Sequence, residues 1–282
     1  MRTQVEKANL FKALHEQDGA FIIPNPWDIA SARLLEHLGF SALATTSAGY
    51  AFSRGQRDNA VSRDEMMTHL HDLAITTQVP ISADLGNCFG DDPNTVAETI
   101  RLAAAAGVVG CSVEDSTNRQ TEPIYAFELA VERVRAAAKA ARALPFPFTL
   151  TARAENYFVG RADIKDTIHR LQAYREAGAD VVFAHGMRNR DDIAAMVRSV
   201  DCPVNVMMGL RGVQLDLEEL SHMGVKRVSV GPSLFMAAMS VVFRAGREMQ
   251  ERGTFTFANE TENFSDLKAM IRSESEAETK EI

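Results

Sequence analysis

The sequence predicts a (β/α)8 barrel, and three observations carry that prediction. Short apolar runs alternate with amphipathic stretches along the whole chain. Eight of these runs start roughly 21 to 39 residues apart, the spacing of strand–helix units in such barrels. A helix–Gly–short loop–strand punctuation recurs in HLGFSALA, AAGVVGCSV, EAGADVVFA and HMGVKRVSV. A doubly wound open sheet is the competing architecture, but no GxGxxG follows the first strand.

In order, the expected strands are Phe21–Ile23, Ala42–Thr45, Pro80–Ala83, Val109–Val113, Phe148–Ala152, Asp180–Ala184, Pro203–Val206 and Arg227–Val230. Each is brief, rich in β-branched or small apolar residues, and continuous rather than alternating. Strands of a parallel sheet covered on both faces read this way.

The helices between them are punctuated. Asp92-Pro93 reads as an N-cap followed by proline in the first turn. Phe127, Ala130, Val131, Val134, Ala137 and Ala138 recur at helical spacing, with Glu128, Arg133, Arg135 and Lys139 mostly outside the stripe. Ile164, Ile168 and Leu171 repeat the pattern, and Gly178 stops that helix. A further helix, Ser233–Gln250, follows the last strand as a C-terminal extension. The expected organisation is one catalytic barrel domain, 1–282, with its core at about 20–250. The tail Ser273–Ile282 lacks apolar partners and is expected to fray.

Of the 282 residues, 46% are hydrophobic and 24% charged, a globular balance. The net charge of −8 and the absence of a Lys/Arg stripe argue against nucleic acid as a partner. No run of about 20 apolar residues is present to span a bilayer, and MRTQVEKANLFKAL does not read as a signal peptide. Cys88, Cys111 and Cys202 form no CxxC or Cys/His cluster. That argues against a structural zinc site and for a reducing compartment. A cytoplasmic protein is expected.

In a barrel of this kind the active site lies at the C-terminal ends of the strands. Chemically capable residues follow six consecutive expected strands: Thr45-Thr46-Ser47-Ala48-Gly49, then Gly55-Gln56-Arg57-Asp58; Asp84; Glu114-Asp115; Arg153 with Glu155; His185; and Asn205. Asp84 and Glu114 would end neighbouring strands about 4.8 Å apart. Two carboxylates that close need a proton or a cation between them, and oxygen donors with room for water suit Mg2+ better than zinc. Alternatively, they pair with Arg153 or cap loop amides. Arg153 would grip a carboxylate or phosphate with its planar fork, or else pair with Glu114 or Glu155. Ser47-Ala48-Gly49 offers amides to an anion, or is simply a tight turn. His185 would donate to a substrate oxygen or transfer a proton, or be a hydrogen-bonded rim histidine. Cys88 reads as packing near the site, and His69, His71 and His222 as ordinary helix residues.

At these residues the chain resembles the isocitrate lyase/phosphoenolpyruvate mutase superfamily, from about Phe21 to Met249. The resemblance is carried by NPWDIASARLLEHLGF, TTSAG with GQRD, PISADLGNCFGDDP, GCSVEDS, TARAENY and PVNVM in this order. It is nearest to short bacterial members grouped with carboxyphosphonoenolpyruvate mutase and methylisocitrate lyase. It implies a modified barrel, commonly a homotetramer (a dimer of dimers) that exchanges the eighth helix. It also implies one Mg2+, with Mn2+ as substitute, and an α-oxo acid or its enolate as intermediate. On matching positions, Asp84 would be the principal metal ligand, with Asp58 and Glu114 in a water-mediated shell. Ser47, Ala48 and Gly49 would bind the substrate carboxylate, Arg153 its other end, and Asn205 would touch it. His185 matches a histidine of the mutase branch.

Two departures stand out. The family's D-x-D/E-x-G-x-G run reads Asp84-Leu85-Gly86-Asn87-Cys88-Phe89-Gly90 here, so Gly86 replaces the second acid. The K-K/R-C-G-H segment of isocitrate and methylisocitrate lyases is replaced by Ser116-Thr117-Asn118-Arg119-Gln120-Thr121-Glu122-Pro123. The leading expectation is a Mg2+-dependent lyase that cleaves a C–C bond of a small α-oxo or 2-hydroxy carboxylate, by retro-aldol cleavage or decarboxylation. The alternatives are P–C bond chemistry, as in a mutase or phosphonopyruvate hydrolase, and a non-catalytic barrel that binds a carboxylate.

Overall fold

In the computed structural model, residues 1–262 are described; the expected frayed tail, 273–282, lies outside them. Eight strands form one parallel sheet: β1 (Phe21–Ile23), β2 (Leu43–Ala44), β3 (Ile81–Asp84), β4 (Gly110–Glu114), β5 (Thr149–Ala154), β6 (Val181–Ala184), β7 (Val204–Met207) and β8 (Arg227–Ser229). The ladder runs β1-β8-β7-β6-β5-β4-β3-β2, as a (β/α)8 barrel requires. The expected strands are all present, with ends differing by one or two residues.

Between β1 and β2 the ladder is replaced by single bonds. The Ala44 amide donates to the Pro24 carbonyl at 3.0 Å. Beside it, the buried Asn25 side chain acts as a rivet: Nδ2 donates to the Thr45 carbonyl (2.9 Å), and Oδ1 accepts from the amides of Val230 (2.8 Å) and Gly231 (2.9 Å). One carboxamide thus ties the ends of β2 and β8 together.

The helices are α1 (Gln4–Glu16), α2 (Ile29–His37), α3 (Ser47–Ser53), α4 (Arg63–Thr76), α5 (Pro93–Ala105), α6 (Phe127–Arg142), α7 (Ile164–Glu176), α8 (Arg190–Ser199), α9 (Leu217–His222) and α10 (Ser233–Arg252). Asp92 caps α5 by accepting from the Asn94 amide at 2.8 Å, and Pro93 opens the helix. Helix α1, before the first strand, was not anticipated. Its Thr3–Glu6 capping box defines its start, and Phe11 closes the barrel floor beneath Gly110.

Arg133 departs from the expected solvent face of α6. It is 1% exposed, stacks over Tyr125 at 4.1 Å, and donates to the carbonyls of Asn87, Gly90 and Asp91. Helix periodicity reports which side a residue occupies; here the loop between β3 and α5 folds down over that side, and its carbonyls need a donor.

Helix α10 meets the barrel through Phe235, edge-on to Trp27 at 5.5 Å between centroids, and leaves Met236, Val242 and Phe243 exposed. No helix among the described residues is long and apolar enough to cross a membrane.

Candidate active site

The ends of β3, β4, β5 and β6 bring one guanidinium among three carboxylates and an imidazole. Arg153 donates through Nη2 to Glu114 Oε2 at 2.9 Å, through Nη1 towards Asp84 Oδ1 at 3.5 Å, and through Nε to Glu155. It also lies 5.6 Å from the centre of the Phe183 ring. Register explains the gathering: Glu114, Arg153 and Phe183 are successive Cα partners across β4, β5 and β6, and Asp84 ends β3 opposite Ser112.

Asp84 is also an amide cap. Its Oδ2 accepts from the Ser47 amide (3.0 Å) and the Ser47 hydroxyl (2.8 Å), and its Oδ1 from Ser112 Oγ (3.3 Å). The Ser47-Ala48-Gly49 turn is therefore held against the acid cluster. The Gly49 amide donates to Thr46 Oγ1 at 3.1 Å, capping α3. Both pairings weighed from the sequence, with Arg153 and with a loop amide, are present.

Glu155 is the main residue that the sequence reading named only as a partner for Arg153. It is fully buried, and its Oε2 lies 3.0 Å from His185 Nδ1. The same Nδ1 lies 3.0 Å from Arg153 Nη2, so it sits between an obligate acceptor and an obligate donor, and the opposite nitrogen, Nε2, lies outside both contacts. Phe158 stacks on the ring at 4.4 Å. The Glu155 backbone is fixed too, because its amide donates to Asp115 Oδ1 at 2.8 Å, and Asp115 in turn accepts from Arg170 (3.1 Å) and Tyr174 (2.6 Å). The signal was in TARAENY, where an acid follows the arginine at the two-residue period of a strand.

Electrostatics separate the two glutamates. Burial raises the Glu114 carboxyl well above its ordinary range; Arg153 opposes this, while Glu155, Asp84 and Asp58 reinforce it. Burial also disfavours charge on Glu155, but Arg153 and His185 prevail and hold it at about 2. Burial likewise works against charge on Arg153, and its three acidic neighbours more than offset that.

Asp58 sits exposed in the loop between α3 and α4, its carboxyl raised by desolvation and then by Asp84. Asn205 is not drawn to the cluster. It is 1% exposed, accepts from Arg227 Nε at 2.9 Å and donates to Ser229 Oγ at 3.0 Å. Arg227 also donates to Thr151 Oγ1 at 2.9 Å, and burial lowers its pKa to about 9. Cys88 is fully buried, and burial pushes its thiol up to about 12, as packing rather than chemistry requires.

These residues suit a hard divalent cation. The acidic donors are all oxygen: Asp84, Glu114 and Glu155 share one guanidinium, and Asp58 lies close enough for Asp84 to raise its carboxyl. Burial is the main cause of the raised Glu114 carboxyl, and the neighbouring acids add to it. Among the described residues no three His, Cys, Asp or Glu side chains form a ready-made cage. Mg2+ needs none, since it binds through one or two carboxylates and keeps several waters.

A family model described as phosphoenolpyruvate phosphomutase matches residues 11–250. The chain belongs to that family. The resemblance read from the sequence motifs is thereby shown, and the chain is a member of an enzyme superfamily that contains carbon–carbon lyases. A provisionally named lyase/mutase of Burkholderia cenocepacia J2315 is 57% identical, with a TM-score of 0.94 over 96% of this chain and 97% of its own. A 2-methylisocitrate lyase of Halalkalibacterium halodurans is 27% identical over 210 residues, 72% of this chain and 68% of its own. A phosphonopyruvate hydrolase solved with oxalate and Mg2+ shares the fold at 22% identity, with a TM-score of 0.85 over 98% of this chain and 97% of its own.

Proposed function

We propose that the chain is a Mg2+-dependent lyase that breaks a C–C bond of a small α-oxo or 2-hydroxy carboxylate. The observation that carries this reading is the convergence of Asp84, Glu114, Glu155 and His185 on Arg153 beneath the Ser47 turn. Asp84 would hold the ion, with Glu114 and Asp58 reaching it through water. When bound, Mg2+ supplies Lewis-acid polarisation of the substrate's 2-oxygen.

The protein's own groups do the rest. Ser47, with the Ala48 and Gly49 backbone, would bind the substrate carboxylate as the Ser47 donors turn from Asp84 to the substrate. Arg153 would grip the other end through Nη1, which Asp84 holds only at 3.5 Å. Held at both ends, the substrate keeps the breaking bond perpendicular to the carbonyl plane, where its electrons flow into the developing enolate. His185, with Nδ1 held between Glu155 and Arg153, would use Nε2 to take the proton from the hydroxyl of the departing fragment in a retro-aldol cleavage, or to return one to C3 of the enolate. Asn205, in the same register row as Arg153 and Phe183 and fixed by Arg227 and Ser229, would also touch the substrate. The exposed apolar face of α10 is read as the contact with a second copy of the chain in a dimer of dimers.

P–C bond chemistry is the second reading, favoured by His185. Against it, the polar residues after β4 are already engaged: Arg119 pairs with Asp91 at 2.8 Å, Thr117 donates to the Glu122 carbonyl at 2.6 Å, and Asn118 accepts from Asn59 at 3.1 Å. A non-catalytic carboxylate-binding barrel is the third. A screen of 2-oxo and 2-hydroxy acids with and without Mg2+, read by product formation, tests the proposal. Phosphate release from phosphonopyruvate would replace it with the second reading. Oxalate binding that ignores Mg2+, with no turnover of any acid, would replace it with the third.

A further inference from the structure

Gly86 lines a pocket of about 240 Å³ beside the acid cluster. A Cβ at this position would lie 3.4 Å from Asn59 Oδ1 and 3.9 Å from Glu114 Oε1, so any side chain would project between the catalytic carboxylates and the pocket. Ser47, whose donors cap Asp84, lines the same space. The pocket therefore opens directly onto the place where the substrate's carbon chain would lie.

The pocket's chemistry is specific. Val61, Met66 and Leu85 give it an apolar wall, each less than a tenth exposed. Phe89 and the carboxamides of Asn59, Asn87 and Asn118 also line it, and no lining residue carries a charge. Two of these amides are locked in place: Asn59 Nδ2 donates to Asn118 Oδ1 (3.1 Å), and Asn87 Nδ2 donates to the Tyr125 hydroxyl (3.2 Å). Asn59 Oδ1 is left as an acceptor near Gly86, which would repel a carboxylate. Arg119, the nearest loop cation in sequence, is held away by Asp91. At about 30 Å³ for a water-sized group, the space holds a branch of several carbons.

We propose that this pocket is a substrate subsite, selecting 2-oxo or 2-hydroxy acids with a short uncharged aliphatic branch over those ending in a second carboxylate. The inference rests on the lyase reading of the neighbouring site and adds the substrate class to it. An ionised group at the far end of this pocket would give up water for an apolar wall and an acceptor oxygen, with no positively charged side chain in the lining to offset the loss. An alkyl group would gain from the same exchange.

Calorimetry in the presence of Mg2+, with oxalate, pyruvate, 2-oxobutanoate, 2-oxopentanoate and 2-oxoglutarate as probes, tests it. Affinity is expected to rise about fourfold per added methylene from pyruvate to 2-oxopentanoate, and 2-oxoglutarate to bind at least about tenfold more weakly than 2-oxopentanoate. Gly86→Asn should flatten the series, since asparagine tolerates the φ of +54° found there. Val61→Leu narrows the pocket from the opposite wall without touching an acid and should flatten it as well, which keeps the test decisive if the first variant does not fold. Flat affinities in the wild type, 2-oxoglutarate as the tightest ligand, or a gradient that survives in the folded variants would each overturn the subsite while oxalate binding leaves the lyase reading intact. Failure of oxalate itself to bind with Mg2+ would overturn both.

Discussion

Glu155 and His185 form a buried carboxylate–imidazole pair, Oε2 to Nδ1 at 3.0 Å, contributed by adjacent strands and closed over by Phe158. The pair orients the imidazole so that Nε2 is the nitrogen free to exchange a proton. Glu155→Gln keeps the shape and removes the charge. The expected result is a fall in kcat of about 100-fold or more, with oxalate affinity changed by less than about tenfold. Unchanged kcat on the substrate found by screening would remove the pair from the mechanism.

Arg153 is the common partner of three acids, so its loss is expected to be structural as well as functional. Arg153→Met should cost about 3 to 5 kcal/mol, the usual effect of stranding buried partners, measured by urea denaturation. The same variant should lose oxalate binding. Arg153→Lys retains charge without the planar fork, and should recover much of the stability but little of the binding.

Mg2+ is expected to raise the melting temperature, and chelation to reverse the rise. At 100 times its Kd the gain amounts to about 2.7 kcal/mol. Asp84→Asn should abolish the response. Glu114→Gln removes a carboxyl whose charge burial disfavours but which pairs with Arg153 at 2.9 Å, and it should weaken the Mg2+ response without abolishing it. A wild type whose melting is indifferent to Mg2+ and Mn2+ would count against the proposed metal role.

His15 gives the floor of the barrel a pH dependence. Burial, then the nearby Arg227 charge, lowers its pKa from 6.5 to about 3. Below pH 6.5 the unfolded chain therefore takes up a proton that the folded chain refuses. Stability is fully present above pH 6.5 and is lost as pH falls towards 3, at up to about 1.4 kcal/mol per pH unit. His15→Phe should flatten the pH–stability curve by that slope near pH 5, measured by denaturant titration. An unchanged slope would show that His15 titrates alike in both states.

Much of the fold was legible because its signals are local. A buried parallel strand is written as a short apolar run, and Asp92-Pro93 or Gly178 marks a helix end within a few residues. The candidate site was legible for a related reason: in a barrel, the residue after each strand faces one end, so Asp84, Glu114, Arg153 and His185 could be grouped before any distance was known. Helix α1 escaped notice because its apolar residues serve the barrel floor and give only a weak stripe of their own.

The sequence by itself determined the eight strand–helix units and the gathering of carboxylates, a guanidinium and an imidazole at the strand ends. Only the tertiary structure decided that Glu155 buttresses His185, that Asn205 accepts from the buried Arg227, that Arg133 holds a loop from within, and that Asn25 rivets the barrel seam. Side-chain hydrogen bonds of this kind join positions 20 to 206 residues apart in the chain. Strand register and loop descent bring those positions together, and neither is encoded in a local window of sequence.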